Sequence, residues 1–167
     1  MSTGKSISLN LIKKVLSNYG KADMVVLANV MCHIPKINEV AKSISEILNK
    51  EGYLIFEDPY LLDVLKKVSY DQIYDEHVFI FSALSVKNIF EKYDLKLIDA
   101  IPQETHGGSM RYVFTKNLKK TESPRLKKIL EKEKKYKIHK SETYRNFKKN
   151  CEFSKVNLLK KLQKLKK

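Results

Sequence analysis

Glycine is scarce in this chain. Its 167 residues hold five, at Gly4, Gly20, Gly52, Gly107 and Gly108. An open α/β sheet that binds a nucleotide-like ligand normally begins with a strand, a glycine-rich turn and a helix, because the turn lets the backbone approach the ligand closely. No such turn occurs here. Either the chain carries only the later part of such a domain, or it adopts a compact fold that does without the first half. Cysteine is scarcer still: Cys32 and Cys151 lie far apart with no metal-ligand spacing. Both read as free thiols, and no structural zinc site is expected. No apolar run approaches the roughly 20 residues that span a bilayer. The N-terminus also lacks the charged, apolar and small-residue segments of a signal peptide. The expectation is a cytoplasmic protein of about one domain.

Negative charge is missing from the last third. Lys116 to Lys167 holds 20 Lys and Arg against 5 Glu, a net of +15, whereas residues 1–115 hold 13 against 14, a net of −1. Such a segment can neutralise phosphates on nucleic acid or an anionic surface. It can equally be the solvated face of a lysine-rich helix, which is the plainer reading because arginines are few and no nucleic-acid module is recognisable. From Ser123 onward the pattern predicts one or two helices. Tyr144, Phe147, Cys151, Leu158, Leu162 and Leu165 recur at three- and four-residue steps and form an apolar stripe.

The remainder alternates. Leu11, Ile12, Val15, Leu16 and Tyr19 fall at helical spacing, with Gly20 as a natural stop, and Asp23 to Ala28 is a continuously apolar run of the kind found in buried parallel strands. Ile37, Val40, Ala41, Ile44, Ile47 and Leu48 mark one face of a helix that Gly52 is expected to end. Tyr53 to Glu57 then reads as a strand. Ser82 or Ser85 is placed to cap a helix running through Tyr93, and strands follow at Leu95 to Ile101 and at Ser109 to Thr115. The order helix, strand, helix, strand, helix, strand, strand implies an α/β sheet with crossover helices.

Within this frame the stretch Asp71-Gln-Ile-Tyr-Asp-Glu-His77 stands out. It sets a phenol, two carboxylates and an imidazole in four consecutive positions, Tyr74 to His77, after what reads as the end of a buried strand. Adjacent ionisable groups bounded by aromatic residues favour a general base tuned by its neighbours. Imidazole suits the task because its unperturbed titration lies near neutrality. His33 sits just past a strand end at Asn29, on the carboxyl edge where open α/β sheets bind ligands; taken alone, a histidine there is more often a hydrogen-bonded loop residue. In His106-Gly107-Gly108 the glycines permit positive φ and close approach, which suits a plain turn as well as a ligand. Arg111 could pair with a diphosphate or with an internal carboxylate such as Glu57 or Asp58. Tyr60 is a plausible wall of a pocket, while Phe79 and Phe81 read as core.

Four segments occur in the order and near spacing of one family: ADMVVLANVMCHIP at residues 22–35, GYLIFEDPY at 52–60, DQIYDEHVFIFS at 71–82 and HGGSMRY at 106–112. They resemble the S-adenosylmethionine-dependent sugar C-methyltransferases that act on nucleotide-linked 4-keto-deoxysugars. The resemblance spans about residues 6–115 closely and the basic tail more loosely. It implies a partial Rossmann-like class I methyltransferase sheet over residues 1–117, the second half of that domain. A basic amphipathic helical tail at 118–167 would lead toward a further domain. It implies S-adenosylmethionine as cofactor and a nucleotide-linked keto-deoxysugar as substrate. The family's cysteine-rich zinc module, glycine-rich loop and ribose-binding acid have no counterpart in this sequence.

The resemblance also distributes roles. Methylating a carbon beside a ketone needs removal of its proton, stabilisation of the enolate and alignment with an electrophilic methyl group. His77 matches the family's base. Glu76 could orient the ring, bind a sugar hydroxyl or itself be the base, and Tyr74 could donate to the enolate oxygen. Asn29 falls near the cofactor and His33 near the reacting sugar; Tyr60, His106, Gly107 and Arg111 fall on the substrate side. A second class of function remains open, that of a non-catalytic remnant or anion-binding protein working through the basic helix.

Overall fold

The computed structural model describes residues 9–166, so Gly4 lies outside the described residues. In chain order the elements are α1 (Leu9–Tyr19), β1 (Ala22–Ala28), α2 (Ile37–Ile47), β2 (Leu48–Pro59), α3 (Leu61–Lys67), α4 (Ala83–Phe90), β3 (Lys96–Gln103), β4 (Ser109–Thr115), α5 (Pro124–Lys135) and α6 (Ser141–Leu165). Short 3₁₀ turns lie at Met31–His33, Tyr70–Gln72, Glu91–Tyr93 and Thr105–Gly107. The sheet order is β1-β2-β4-β3, with β1 and β2 parallel and β4 antiparallel to both β2 and β3. It is an α/β fold, as the alternating pattern predicts.

The parallel pair is joined by α2, a crossover that parallel strands require. Its apolar face of Ile37, Val40, Ala41 and Ile44 is buried against the sheet. Period-two alternation places Leu54, Phe56, Tyr112 and Phe114 in the core, on the face covered by α2, α4 and α5. Phe56 is the hub, with the rings of Phe81, Phe90, Tyr112 and Phe114 centred 5.0–6.0 Å away. Such tilted and stacked aromatic pairs add stabilisation beyond their buried area. The opposite face is thinly covered: Met24 and Val26 on β1 are more than half exposed, and Ile55 and Val113 beside them are half-buried.

Two sequence expectations are corrected here. Gly52 does not end a helix, because α2 stops at Ile47 and Gly52 lies inside β2. A Cβ there would sit 3.0 Å from Leu48 Cδ2 and 3.2 Å from the Ala22 carbonyl oxygen, so close strand packing, not helix termination, accounts for the glycine. The Tyr74 to His77 cluster does not follow a strand end directly. Helix α3 intervenes, capped by Val68 in the left-handed region at φ 57°. Gly20, at φ 73°, closes α1 as expected.

The tail divides in two. Leu126, Ile129 and Ile138 of the α5 region are buried in the core, whereas α6 has no buried residue and exposes Phe153, Leu158, Leu162 and Leu165. Ser123 caps α5 through the Leu126 N–H, with Pro124 at its first position. No helix of the described residues is long and apolar enough to cross a membrane.

Candidate active site

The carboxyl ends of β1 and β2 lie side by side, with Ala28 opposite Glu57. Beyond β1, Asn29 takes a left-handed conformation (φ 52°) that asparagine tolerates better than most residues. Its N–H is anchored on the Glu57 carbonyl at 2.7 Å, and it remains exposed. The following 3₁₀ turn, Met31–His33, buries Met31 and Cys32 and leaves His33 half-buried at the rim. The loop after α3 is tied to this turn by Phe79 N–H donating to the Cys32 carbonyl at 3.1 Å. Two stretches distant in sequence thereby meet.

At that meeting the two imidazoles are tilted 47° to one another, 5.0 Å between ring centres. His33 Nδ1 is 2.7 Å from the Glu76 carbonyl oxygen, and His77 Nδ1 is 2.7 Å from the Gln72 carbonyl oxygen. A carbonyl oxygen can only accept, so each Nδ1 carries a proton, and the neutral form of each ring has its lone pair on Nε2. The Tyr74 hydroxyl sits 3.0 Å from His77 Nε2 and donates to it. Glu76 therefore orients a ring, but through its backbone carbonyl and on His33; its carboxylate is exposed. His33, Asp75, Glu76 and Val78 line an open hollow of about 340 Å³.

Beneath this rim lies a fully buried carboxylate, Asp58. Its Oδ1 is 3.4 Å from the Cys32 N–H, and its Oδ2 has no hydrogen-bond partner. Burial raises the Asp58 carboxyl above its ordinary range, opposed by hydrogen bonds from Cys32 and by the charges of His33 and His77. Burial likewise pushes the Cys32 thiol well up, with Asp58 adding to the effect.

The remaining expected site residues lie on the same edge but face other partners. Arg111, opposite Glu57 in the β2–β4 register, places Nε and Nη2 at 3.2 and 2.9 Å from Glu57 Oε2, while Thr105 donates to Oε1 at 3.0 Å. Of the two carboxylates weighed for Arg111, Glu57 is the partner. His106 lies in the Thr105–Gly107 turn. Gly107 has φ 79° with open space beside it. Gly108, at φ 133°, has no room for a side chain, because a Cβ would meet Asp63 Oδ2 at 2.3 Å. Tyr60 does not form an open wall: it is 5% exposed, and its hydroxyl donates to Glu133 Oε1 at 2.9 Å. Phe81 is buried in the core and Phe79 packs partly buried against it.

Sequence reasoning missed Glu133, the carboxylate that secures this scaffold. From α5 it accepts the Ala83 N–H at 2.7 Å on Oε1 and the Leu84 N–H at 3.0 Å on Oε2. With Ser82 and Ser85 forming a reciprocal capping box, the N-terminal donors of α4 are satisfied. Nothing in a lysine-rich helix distinguishes this glutamate from its exposed neighbours.

Residues 3–100 match the family model for a methyltransferase domain. Residues 104–167 match that for a C-methyltransferase C-terminal domain. The chain belongs to the S-adenosylmethionine-dependent C-methyltransferase family. S-adenosylmethionine is the cofactor of that family. Over 98 residues the chain is 34% identical to the C-methyltransferase NovU of Streptomyces niveus, which covers 59% of this chain and 23% of NovU. The chain thus spans under a quarter of that curated relative. Among solved structures it is similar to a SAM-dependent methyltransferase from Anabaena variabilis, with 15% identity, 64% of this chain and 54% of that one covered, and a TM-score of 0.47. It is also similar to the magnesium protoporphyrin IX methyltransferase of Synechocystis with bound SAH, with 15% identity, coverage of 57% and 45%, and a TM-score of 0.44. The first match ends inside β3 and the second begins just after that strand, although β3 pairs with β4 across the boundary.

Proposed function

We propose that this C-methyltransferase methylates a ring carbon next to the ketone of a nucleotide-linked deoxysugar, and that His77 removes the proton from that carbon. The observation that carries the reading is the meeting of the two imidazoles, 5.0 Å between ring centres, each with Nδ1 bonded to a backbone carbonyl so that Nε2 is left to accept, beside an open hollow that His33 lines. The sugar and its nucleotide link rest on the four sequence motifs. Residues 1–117 are read as the second half of a methyltransferase domain and 118–167 as a tail leading away from it.

The chemistry needs one exchange of partners. Substrate binding draws the Tyr74 hydroxyl off His77 Nε2 and onto the ketone oxygen. The free Nε2 takes the proton from the adjacent carbon, the C–H electron pair flows into the carbonyl, and the phenol stabilises the enolate by donating to its oxygen. The Gln72 carbonyl, accepting from Nδ1, holds the imidazolium in place. When bound, S-adenosylmethionine supplies an electrophilic methyl group for the nucleophilic carbon. Asn29, exposed at the carboxyl end of β1, is the residue here with an amide free to meet that cofactor. His33, with its own Nε2 lone pair beside His77, binds a sugar hydroxyl, and the turn with His106 and Gly107 forms the far rim. Arg111 and Tyr60 act by holding Glu57 and Glu133.

Proton removal can be followed without methyl transfer. In deuterated water and without methyl donor, the whole protein should exchange the hydrogen of the ketone-flanking carbon, and His77→Ala should abolish that exchange. Exchange at the wild-type rate in His77→Ala would remove His77 from the role.

A further inference from the structure

We propose that Cys32, His33 and His77 form a binding site for a single zinc-like divalent cation. The Cys32 thiol and one nitrogen of each imidazole all lie within 4.8 Å of one another. Bond lengths of about 2.0–2.1 Å to nitrogen and about 2.3 Å to sulfur put tetrahedral ligand atoms roughly 3.5 Å apart. A contraction of about 1 Å would therefore close the site, within reach of rotation of the two half-buried imidazoles toward the buried Cys32.

Three features fit a metal better than a chance meeting of polar groups. Each histidine already donates Nδ1–H to a backbone carbonyl, the arrangement that fixes the tautomer of zinc-bound imidazoles and presents Nε2. The thiol is a soft ligand matched to zinc. Asp58, fully buried with Oδ2 unpartnered, stands against Cys32 and within electrostatic reach of both histidines. Charges then balance, since the dication faces one thiolate and one carboxylate. On binding, the Cys32 S–H proton leaves to solvent. Without a cation, burial and Asp58 keep that thiol protonated and inert. Sequence spacing gave no sign of the site, because the loop bearing His77 reaches Cys32 only through tertiary structure.

Binding itself is independent of the methyl-transfer reading. One consequence rests on that reading: a cation on His77 Nε2 occupies the lone pair assigned to the base, so zinc would inhibit. Tyr74 competes with the cation for the same nitrogen.

Cobalt(II) is the probe. Added to the purified reduced chain, one equivalent should give tetrahedral ligand-field bands and a thiolate-to-cobalt charge-transfer band, both displaced by zinc. Cys32→Ser should lose the charge-transfer band, and His33→Gln should weaken binding at least about tenfold. Tyr74→Phe should tighten it, and Cys151→Ser should change nothing. Circular dichroism monitors folding, and His33→Gln, at a half-exposed position, keeps the test decisive if Cys32→Ser does not fold. An octahedral spectrum without charge transfer, bands lost in Cys151→Ser, or affinity unmoved by His33→Gln would overturn the proposal.

Discussion

Among the described residues two carboxylates are buried, Glu133 in α5 and Asp58 at the end of β2, and they are used in opposite ways. Glu133 spends both oxygens on folding, binding two N–H groups of α4 and the Tyr60 hydroxyl. Asp58 leaves one oxygen unpaired beneath Cys32, His33 and His77. A buried polar atom without a partner costs free energy, so such atoms persist where something besides stability holds them. The two tyrosines follow the same division. Tyr60 is locked inward on Glu133, while Tyr74 is exposed and bonded to a ring nitrogen it can release. The α5 region thus acts as a clamp, and the edge at Asp58 as a site kept short of partners.

That contrast predicts different kinds of damage. His77→Ala, on the site side, should lower methyl transfer by about 10²- to 10⁴-fold. Its cofactor affinity and melting temperature should stay near wild type, as steady-state kinetics and calorimetry would show. Glu133→Ala, on the clamp side, strands three buried donors and should cost about 3 kcal/mol or more of unfolding free energy. Denaturant titration measures it, and a loss of turnover without that loss of stability would break the division. Tyr60→Phe removes one donor and should cost about 1–2 kcal/mol, with residual activity tracking the folded fraction.

The smallest effect concerns pH. Burial holds the Glu133 carboxyl above its ordinary 4.5, opposed by the bonds from Leu84, Ala83 and Tyr60. Between that value and the raised one, the folded chain binds more protons than the unfolded chain. The Glu133 contribution to stability therefore falls as pH rises through that interval and is level above it. Glu133→Gln should remove this slope from melting curves recorded across the interval.

Much of the sheet was legible because its strands are short apolar runs. Ser109–Thr115 coincides with β4, and Asp23 to Ala28 falls one residue inside β1. Helix α3 escaped because it spans only 7 residues, too few for a helical stripe to repeat. Gly52 misled because a glycine after a helical stripe resembles a stop, whereas its cause is a neighbouring strand and the Leu48 side chain. The candidate site was legible in its residues and not in its connections. Tyr74, Glu76 and His77 were identifiable as a cluster, with His33 assigned separately to a strand end. That a backbone carbonyl of Glu76, rather than its carboxylate, would fix the ring of His33 depends on loop conformation, which no residue pattern encodes. The partner of Arg111 required the β2–β4 register, and the Cys32–His77 approach required the loop to fold back.

The central claim is that both histidines hold their proton on Nδ1, which leaves each Nε2 as an acceptor, that of His77 paired with the Tyr74 hydroxyl. Nitrogen-15 NMR of the imidazoles in the neutral form reads this directly. The account predicts that His33 and His77 both show the Nδ1–H tautomer, with His77 Nε2 accepting from Tyr74 and shifting in Tyr74→Phe. A proton found on Nε2 of His77 would contradict it.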